Sequence, residues 1–382
     1  MNCSNLNIEN YAIVYASQTP GLNASAEYLQ KKLFDITGCT LAVYADTDTA
    51  VTSNEILIGC TNRSESPEFT ELMKYKLSFK NRKILLECGG QFSANHVIDI
   101  FSSSLESNNI KEASGSLLDI EKEPLTVGSD LRVMTSNILA QRWICGGRPY
   151  ITIRAEIYAA ILAAYAPDII GVQETDDPWN DFFPYYLAIL RERYGLNYAW
   201  TCNRYGNLSI LTSILYNKNK YNLIEDNMRE FSYMNSEKYK LRVLSSAILE
   251  DIDNSTLYLI VNTHWSGDKK DVDAQIKEGI EVVDYYKSKY GVRNFFCTGD
   301  FNMHMNLGFE QYKTETGYLD AKELAEASDT LVNHNSGIRE GIYIDHVFHN
   351  PELKVLRYET IDKNHTDILS DHLPQYGDFC VK

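Results

Sequence analysis

Hydrophobic and polar positions along the chain fall into short runs with two recurring periods. At Tyr11 to Ala16, Leu41 to Tyr44, Glu55 to Gly59, Tyr75 to Phe79 and Lys83 to Glu87, β-branched, aromatic and aliphatic residues form runs of strand length. Two stretches, Ala24 to Ile36 and Ser93 to Ser104, read as helices between and after these strands. Gly38, just past the first stretch, supplies its stop, because glycine readily takes the left-handed turn that ends a helix. The order predicts a small α/β unit with its helices on one sheet face.

A second patterned region begins near Leu131. Strands are predicted at Leu131 to Asn137, Ile169 to Gln173, Ser209 to Tyr216, Val243 to Glu250, Leu257 to Asn262, Asn294 to Thr298 and Ile342 to Phe348. Val272, Ile276, Ile280, Val283 and Tyr286 recur at helical steps, with Gly291 as the stop. The apolar run Tyr158 to Ala166 belongs to another helix, ended by Pro167, and its apolarity reads as core packing. Between the two regions, Glu121 to Gly128 (EKEPLTVG) is polar and contains a proline. The expected division is therefore residues 1–122 and residues 129–382, both α/β, joined by this linker.

Length supports that division, since 382 residues exceed what one hydrophobic core usually organises. The 36 basic and 52 acidic residues give a net charge of −16, which excludes a chain-wide attraction to polyanions. The apolar run Tyr158 to Ala166 is far short of the roughly 20 residues of a membrane span. Residues 1–20 lack a basic leader, and the first cation is Lys31. A soluble protein is expected, either cytoplasmic or secreted or cell-surface with its leader absent from this sequence. Eight scattered cysteines with no C-x-x-C argue against a zinc knuckle or a disulfide framework.

Polar residues repeatedly stand where a patterned run ends: Asn137 after LRVMTS, Glu174 after DIIGVQ, His264 after LYLIVNT, Asp300 after FFCTG, Asp345 after GIYI, and Asp371 with His372 after DILS. Strand ends and their loops form the rim on which ligand sites are built. Glu174, Asp300, Asp371, Asn137 and Asn302 are hard oxygen donors that suit Mg2+ or Mn2+ better than zinc. His264 and His372 could then stabilise charge or transfer protons, with Asp345 orienting one imidazole.

Each residue also has a plainer reading. A lone strand-end aspartate is usually a turn former or helix cap, and a strand-end asparagine often bonds only backbone. His304 and His346 read as neighbours of the site, and His334, His349 and His365 as loop or surface residues. Arg63 and His96 read as surface or structural residues. Arg142, Trp143, Trp265 and Arg204 are candidates for substrate contact at a cleft rim, with ordinary packing the competing role for each tryptophan.

The segments SN, QET, NTHW, TGDFN, IDHVF and SDHLP, in that order between Leu131 and Lys382, resemble the endonuclease/exonuclease/phosphatase superfamily, to which DNase I belongs. Agreement of all the segments in order and spacing carries the resemblance; a single GDFN or SDH would be turn chemistry. The resemblance implies a four-layer α-β-β-α sandwich and metal-assisted phosphoester hydrolysis by in-line attack of water, with Mg2+, or alternatively Mn2+, as cofactor. It implies Asn137, Glu174 and Asp371 at the metal and His264, Asp300, Asn302, Asp345 and His372 as the catalytic set. Asp300 matches the residue that orients the water, Asn302 the phosphate-binding amide, and Asp345 the partner of His372. In the first region, EILIGCTNRSES and KILLECGG resemble the accessory domain that precedes the barrel of family 20 hexosaminidases and α-glucuronidases. That likeness assigns it no chemistry.

Substrate identity is less legible than chemistry, because the motifs surround the scissile phosphate alone. A phosphodiester is the preferred reading. A DNA or RNA nuclease, a sphingomyelinase-like enzyme and a sugar or inositol phosphatase stand as alternatives. Met303, His304 and Met305 follow Asn302 where inositol polyphosphate phosphatases typically carry an arginine, and His264 stands where abasic-site repair enzymes tend to place a tyrosine. The acidic balance makes nucleic acid a less favoured partner, and no obligate protein partner is evident. A catalytically silent binding protein is disfavoured because every acid, amide and histidine of the pattern is present. A glycoside hydrolase is disfavoured because the roughly 250 residues of a β/α barrel are missing.

Overall fold

The structure, a computed structural model, describes residues 7–69, 72–118, 121–141, 151–201, 211–232, 242–302, 308–329, 343–362 and 366–381. Cα packing divides the chain into two compact units, Met1–Asp119 and Ile120–Lys382. The segment 121–128, expected as a linker, is bound into the second unit. Glu123 N donates to Ala164 O at 2.8 Å, and Thr126 N and Oγ1 donate to Asp378 Oδ2 at 2.9 and 2.6 Å. Its polar groups find buried partners there.

The first unit is a six-stranded sheet with two helices on one face. Strands β1 (Ala12–Tyr15), β2 (Val43–Ala45), β3 (Glu55–Ile58), β4 (Lys74–Lys80), β5 (Lys83–Cys88) and β6 (Ala113–Ser116) pair in the order β2-β1-β3-β5-β4-β6. The first four in that order run parallel, and β4 and β6 add antiparallel. Helices α1 (Leu22–Thr37) and α2 (Gln91–Glu106) pack together over Ile13, Ile56, Ile58, Ile84 and Leu86. Gly38 closes α1 in the left-handed conformation, as the sequence predicted. By strand alternation the opposite face carries Glu55 and Lys83, and there Arg63 is no surface residue. Its guanidinium meets Glu55 at 3.1 Å and Lys83 Nζ meets Glu55 at 2.9 Å, all three side chains buried.

The second unit stacks two sheets. One contains β7 (Leu131–Asn137), β8 (Ile169–Thr175), β9 (Tyr198–Thr201), β10 (Leu211–Asn217), β16 (Ala327–Ser328), β18 (Leu353–Thr360) and β19 (Gln375–Val381), ordered β16-β18-β19-β7-β8-β10-β9. The other contains β11 (Tyr221–Glu230), β12 (Val243–Asp251), β13 (Leu257–His264), β14 (Asn294–Asp300), β15 (Leu319–Asp320) and β17 (Asp345–His349), ordered β11-β12-β13-β14-β17-β15. Helices α3 (Ile151–Tyr165) and α4 (Asp177–Tyr194) pack together on the first sheet's side, with α4 against β8 and β9. Helices α5 (Val272–Tyr290) and α6 (Phe309–Thr316) cover the second sheet through Ile276, Val283, Phe309 and Tyr312. The result is the expected α-β-β-α sandwich.

The inter-sheet core explains where the site falls. Leu131 and Val133 of β7, Ile169 of β8, Ile214 of β10, Tyr258 and Ile260 of β13 and Phe296 of β14 all point inward and are buried. Following each strand by its period of two leads from this apolar floor to Asn137, His264 and Asp300 at one rim. Among the described cysteines, Cys39, Cys60, Cys88, Cys297 and Cys380 are free thiols. No described helix is long and apolar enough to cross a membrane.

Candidate active site

Register brings the site together before any side chain is considered. In one sheet His264, Asp300 and Asp345 stand side by side across β13, β14 and β17, because His264 pairs with Asp300 and Asp300 with Asp345. Asp345 is thus the first residue of an antiparallel strand, not the last of a run, and that reversal puts it on the same rim. In the facing sheet Asn137 pairs with Gln173, next to Glu174. Glu174 is skipped in the pairing of β8 with β10, where Leu211 faces Thr175 and Thr212 faces Gln173. This bulge, with φ of 63° at Glu174, re-aims the carboxylate toward Asn137. Left-handed backbone at a non-glycine residue is costly, and Asn302 shares it with φ of 50°.

Asp300 is the hub. Asn137 Nδ2 donates to its Oδ2 at 3.1 Å, and the Nε2 atoms of His264 and His372 lie 3.3 and 3.7 Å from the same oxygen. Asn302 N donates to Oδ1 at 2.9 Å. Glu174 accepts from Asn137 Nδ2 at 3.2 Å and from Ala140 N at 2.9 Å. His372 Nδ1 donates to Asp345 Oδ2 at 2.7 Å, which turns Nε2 toward Asp300. Asn302 Nδ2 donates to Trp265 O at 2.9 Å, leaving one amide proton for a ligand.

Burial separates the charges of these groups. Burial raises the Asp300 carboxyl, but the imidazoles beside it and the Asn302 amide outweigh that and hold it below the usual range. Burial drives His264 well below its ordinary value, reinforced by the Arg242 cation. Asp345 is pushed up to about 7 by burial. His372, which burial alone would lower, is pushed up to about 10 by the Asp345 carboxylate and its hydrogen bond. Glu174 is raised by burial. A neutral imidazole, an ionised carboxylate and an imidazolium therefore stand together at one sheet rim.

Two donor sets could hold a cation. Glu174 and Asn137, with the Asp371 charge acting on Glu174, offer hard oxygens of the kind a divalent metal such as Mg2+ takes. Asp300, Asp345 and His372 also have ligand atoms within 4.8 Å of one another. That set includes an imidazole already paired with Asp345 through its other nitrogen, so the all-oxygen Glu174 set suits Mg2+ better.

Several expectations change. Trp265 is 2% exposed and packs edge-on against Phe301 and Tyr312, at 5.0 and 5.3 Å. It belongs to the outer core under α5 and α6 and does not line a rim, because successive strand residues face opposite ways and His264 takes the inner side. His346 likewise faces away from Asp345, fully buried, its Nδ1 2.7 Å from Asp320 Oδ2. His349 is buried rather than exposed, and its Nδ1 donates to Asn350 O at 2.9 Å. DILS is no strand; Thr366–Leu369 is a short helix that leads into Asp371 and His372. Arg142, Trp143, Arg204, His304, His334 and His365 lie outside the described residues. Arg242 carries no signal in the sequence, because a cation before a strand is ordinarily solvated. Here it stands just before β12, whose Leu244 pairs with Thr263, and its charge reaches both His264 and Asp300.

Comparison with known proteins agrees with this architecture. Residues 134–372 match the model of the Endonuclease/Exonuclease/phosphatase family, which is well over half the chain. An endonuclease/exonuclease/phosphatase from Bacteroides vulgatus aligns with TM-score 0.55 at 20% identity, covering 66% of this chain and 99% of its own. The mannosyl-6-phosphatase of Bacteroides thetaiotaomicron aligns with TM-score 0.53 at 18% identity, covering 65% and 99%. The human Nocturnin catalytic domain, solved with a sulfate anion, aligns with TM-score 0.51 at 19% identity, covering 65% and 93%. No curated protein sequence matches the chain significantly. The chain belongs to the endonuclease/exonuclease/phosphatase family, and its second unit has the DNase I-like fold of enzymes that act on phosphoester bonds.

Proposed function

We propose that the second unit is a metal-dependent phosphoesterase that hydrolyses a phosphodiester by in-line attack of water. The observation that carries this reading is the convergence of Asn137, His264 and His372 on one buried, ionised Asp300 oxygen. Asp300 is the group that orients the water and draws off its proton. His372, kept cationic and aimed by Asp345, stabilises charge on the phosphoryl oxygens, and the remaining Asn302 amide proton donates to one of them. His264, which burial keeps neutral, directs its Nε2 to Asp300 and helps hold that carboxylate in place. The Arg242 cation acts on both His264 and Asp300. Glu174, Asn137 and Asp371 would hold Mg2+ or Mn2+, which when bound neutralises oxygen charge in the transition state.

The first unit is assigned an accessory role with no chemistry. A phosphodiester is the preferred substrate, and among phosphodiesters a long nucleic acid is the less favoured, because the acidic chain has no general affinity for polyanions. The test is a parallel assay with added Mg2+ on plasmid DNA, poly(A) RNA, sphingomyelin, inositol phosphates and sugar phosphates. Turnover of a diester supports the reading. Turnover of the inositol and sugar monoesters alone overturns the diester preference, and turnover of none overturns the enzyme.

A further inference from the structure

Behind the site, four polar side chains lie between the two sheets with no exposure to solvent: Thr135, Gln173, Asn262 and Thr298, each 0% exposed. Their chain positions follow the site. Thr135 stands two residues before Asn137, Asn262 two before His264, Thr298 two before Asp300, and Gln173 directly before the bulged Glu174. A strand repeats every two residues, so Thr135, Asn262 and Thr298 share the inner face with the residues they precede.

Their hydrogen bonds cross from sheet to sheet. Asn262 Nδ2 donates to Val172 O at 2.9 Å and Ser213 O at 2.8 Å, both in the facing sheet. Its Oδ1 accepts from Gln173 Nε2 at 2.7 Å, again in the facing sheet, and from Thr298 Oγ1 at 3.1 Å on the neighbouring strand. Gln173 Nε2 also reaches Thr135 Oγ1 at 3.1 Å. Both protons of the Asn262 amide are thus placed across the sheets, and its Oδ1 faces the Gln173 amide and the Thr298 hydroxyl, whose one proton also lies within reach of Val261 O at 3.3 Å. Close approach is built in: a Cβ on Gly171 would stand 1.9 Å from Thr298 Oγ1 and 2.7 Å from Asn262 Oδ1.

We propose that the Thr135–Gln173–Asn262–Thr298 layer is the positioning device of the active site, fixing the sheet that carries Asn137 and Glu174 against the sheet that carries His264 and Asp300. The claim rests on the phosphoesterase reading above. Holding the sheets together does not require polar residues, since the floor below does so with Val133, Ile169, Ile214, Ile260 and Phe296. Apolar contacts are non-directional, whereas filled hydrogen bonds set register and distance. The polar layer occurs where half the site must meet the other half to within a fraction of an ångström.

The experiment compares Thr298→Val, which keeps shape and removes the hydroxyl, and Asn262→Ala with Ile260→Val, a control deeper on the Asn262 strand. All are assayed as full chains well below their melting temperatures. Thr298→Val and Asn262→Ala should lower kcat by about 10- to 100-fold with KM nearly unchanged, while Ile260→Val stays within about twofold of wild type. Amide hydrogen exchange around Glu174, His264 and Asp300 should quicken in Thr298→Val and stay unchanged in the control. Should Asn262→Ala fail to fold, Thr298→Val decides the matter. Equal loss of kcat per degree of melting temperature in both classes, or unaltered exchange at the site, overturns the proposal. Wild-type protein without phosphoester turnover refutes the function itself, and exchange then still judges the layer.

Discussion

Replacing Asp300 with asparagine removes one charge from the centre of the site and changes almost nothing in shape. The His372 Nε2 lies 3.7 Å from Asp300 Oδ2. For a cationic imidazole, an effective dielectric of about 20 makes that attraction worth about 4.5 kcal/mol. If the transition state relies on this pair and on Asp300 as proton acceptor, losing the charge costs about 10³-fold in kcat. Asn302 N, which donates to Oδ1 at 2.9 Å, keeps an acceptor in the variant, so the loop after β14 should hold. The assay is steady-state hydrolysis of bis-p-nitrophenyl phosphate with Mg2+, alongside thermal unfolding to show that the variant is folded. A folded Asp300→Asn protein within about tenfold of wild-type kcat would refute the reasoning, because a charge worth that much cannot vanish unnoticed.

Three further outcomes follow from other parts of the structure. Glu174→Gln should raise the Mg2+ concentration needed for half-maximal rate, measured by metal titration of activity, and leave the melting temperature near wild type. Trp265→Ala should destabilise the chain by about 3–5 kcal/mol in urea unfolding, while Trp265→Phe retains KM, since the ring packs on Phe301 and Tyr312. Glu55→Gln should cost about 3–5 kcal/mol, because it leaves the buried Arg63 and Lys83 cations without their shared carboxylate. Burial raises Glu55, yet its bonds to Arg63 and Lys83 outweigh that and hold it below 4.5. Its stabilisation is therefore present above pH 4.5 and lost as pH falls through the folded value, so acid should narrow the gap between wild type and Glu55→Gln in unfolding titrations.

The parts of the site that the sequence revealed are those governed by strand periodicity. Asn137, His264 and Asp300 end apolar runs, and a run that ends at the sheet rim delivers its last inward residue to the cleft. Glu174 is legible by its position at the end of a run, but the bulge that aims it depends on pairing with β10, a long-range contact invisible in DIIGVQET. The same periodicity, applied one residue further, would have placed Trp265 and His346 on the outer side. Other elements fail local rules for tertiary reasons. β19 contains Gly377 and Asp378, poor strand formers, yet Asp378 meets the buried Arg132 at 2.6 Å and a Cβ at Gly377 would stand 2.7 Å from Phe379. α4 contains Pro184. β11 is an edge strand whose polar sequence, YNLIEDNMRE, suits its half-exposed position.

The most direct test is the initial rate of bis-p-nitrophenyl phosphate hydrolysis by the purified full chain, with Mg2+ and then with excess EDTA, for wild type and His372→Ala. The predicted result is turnover that requires the metal, disappears in EDTA and returns when Mg2+ is restored, with His372→Ala lower by at least about 10²-fold. Turnover that persists in EDTA, or that His372→Ala leaves intact, would contradict a metal-assisted reaction centred on Asp300 and His372.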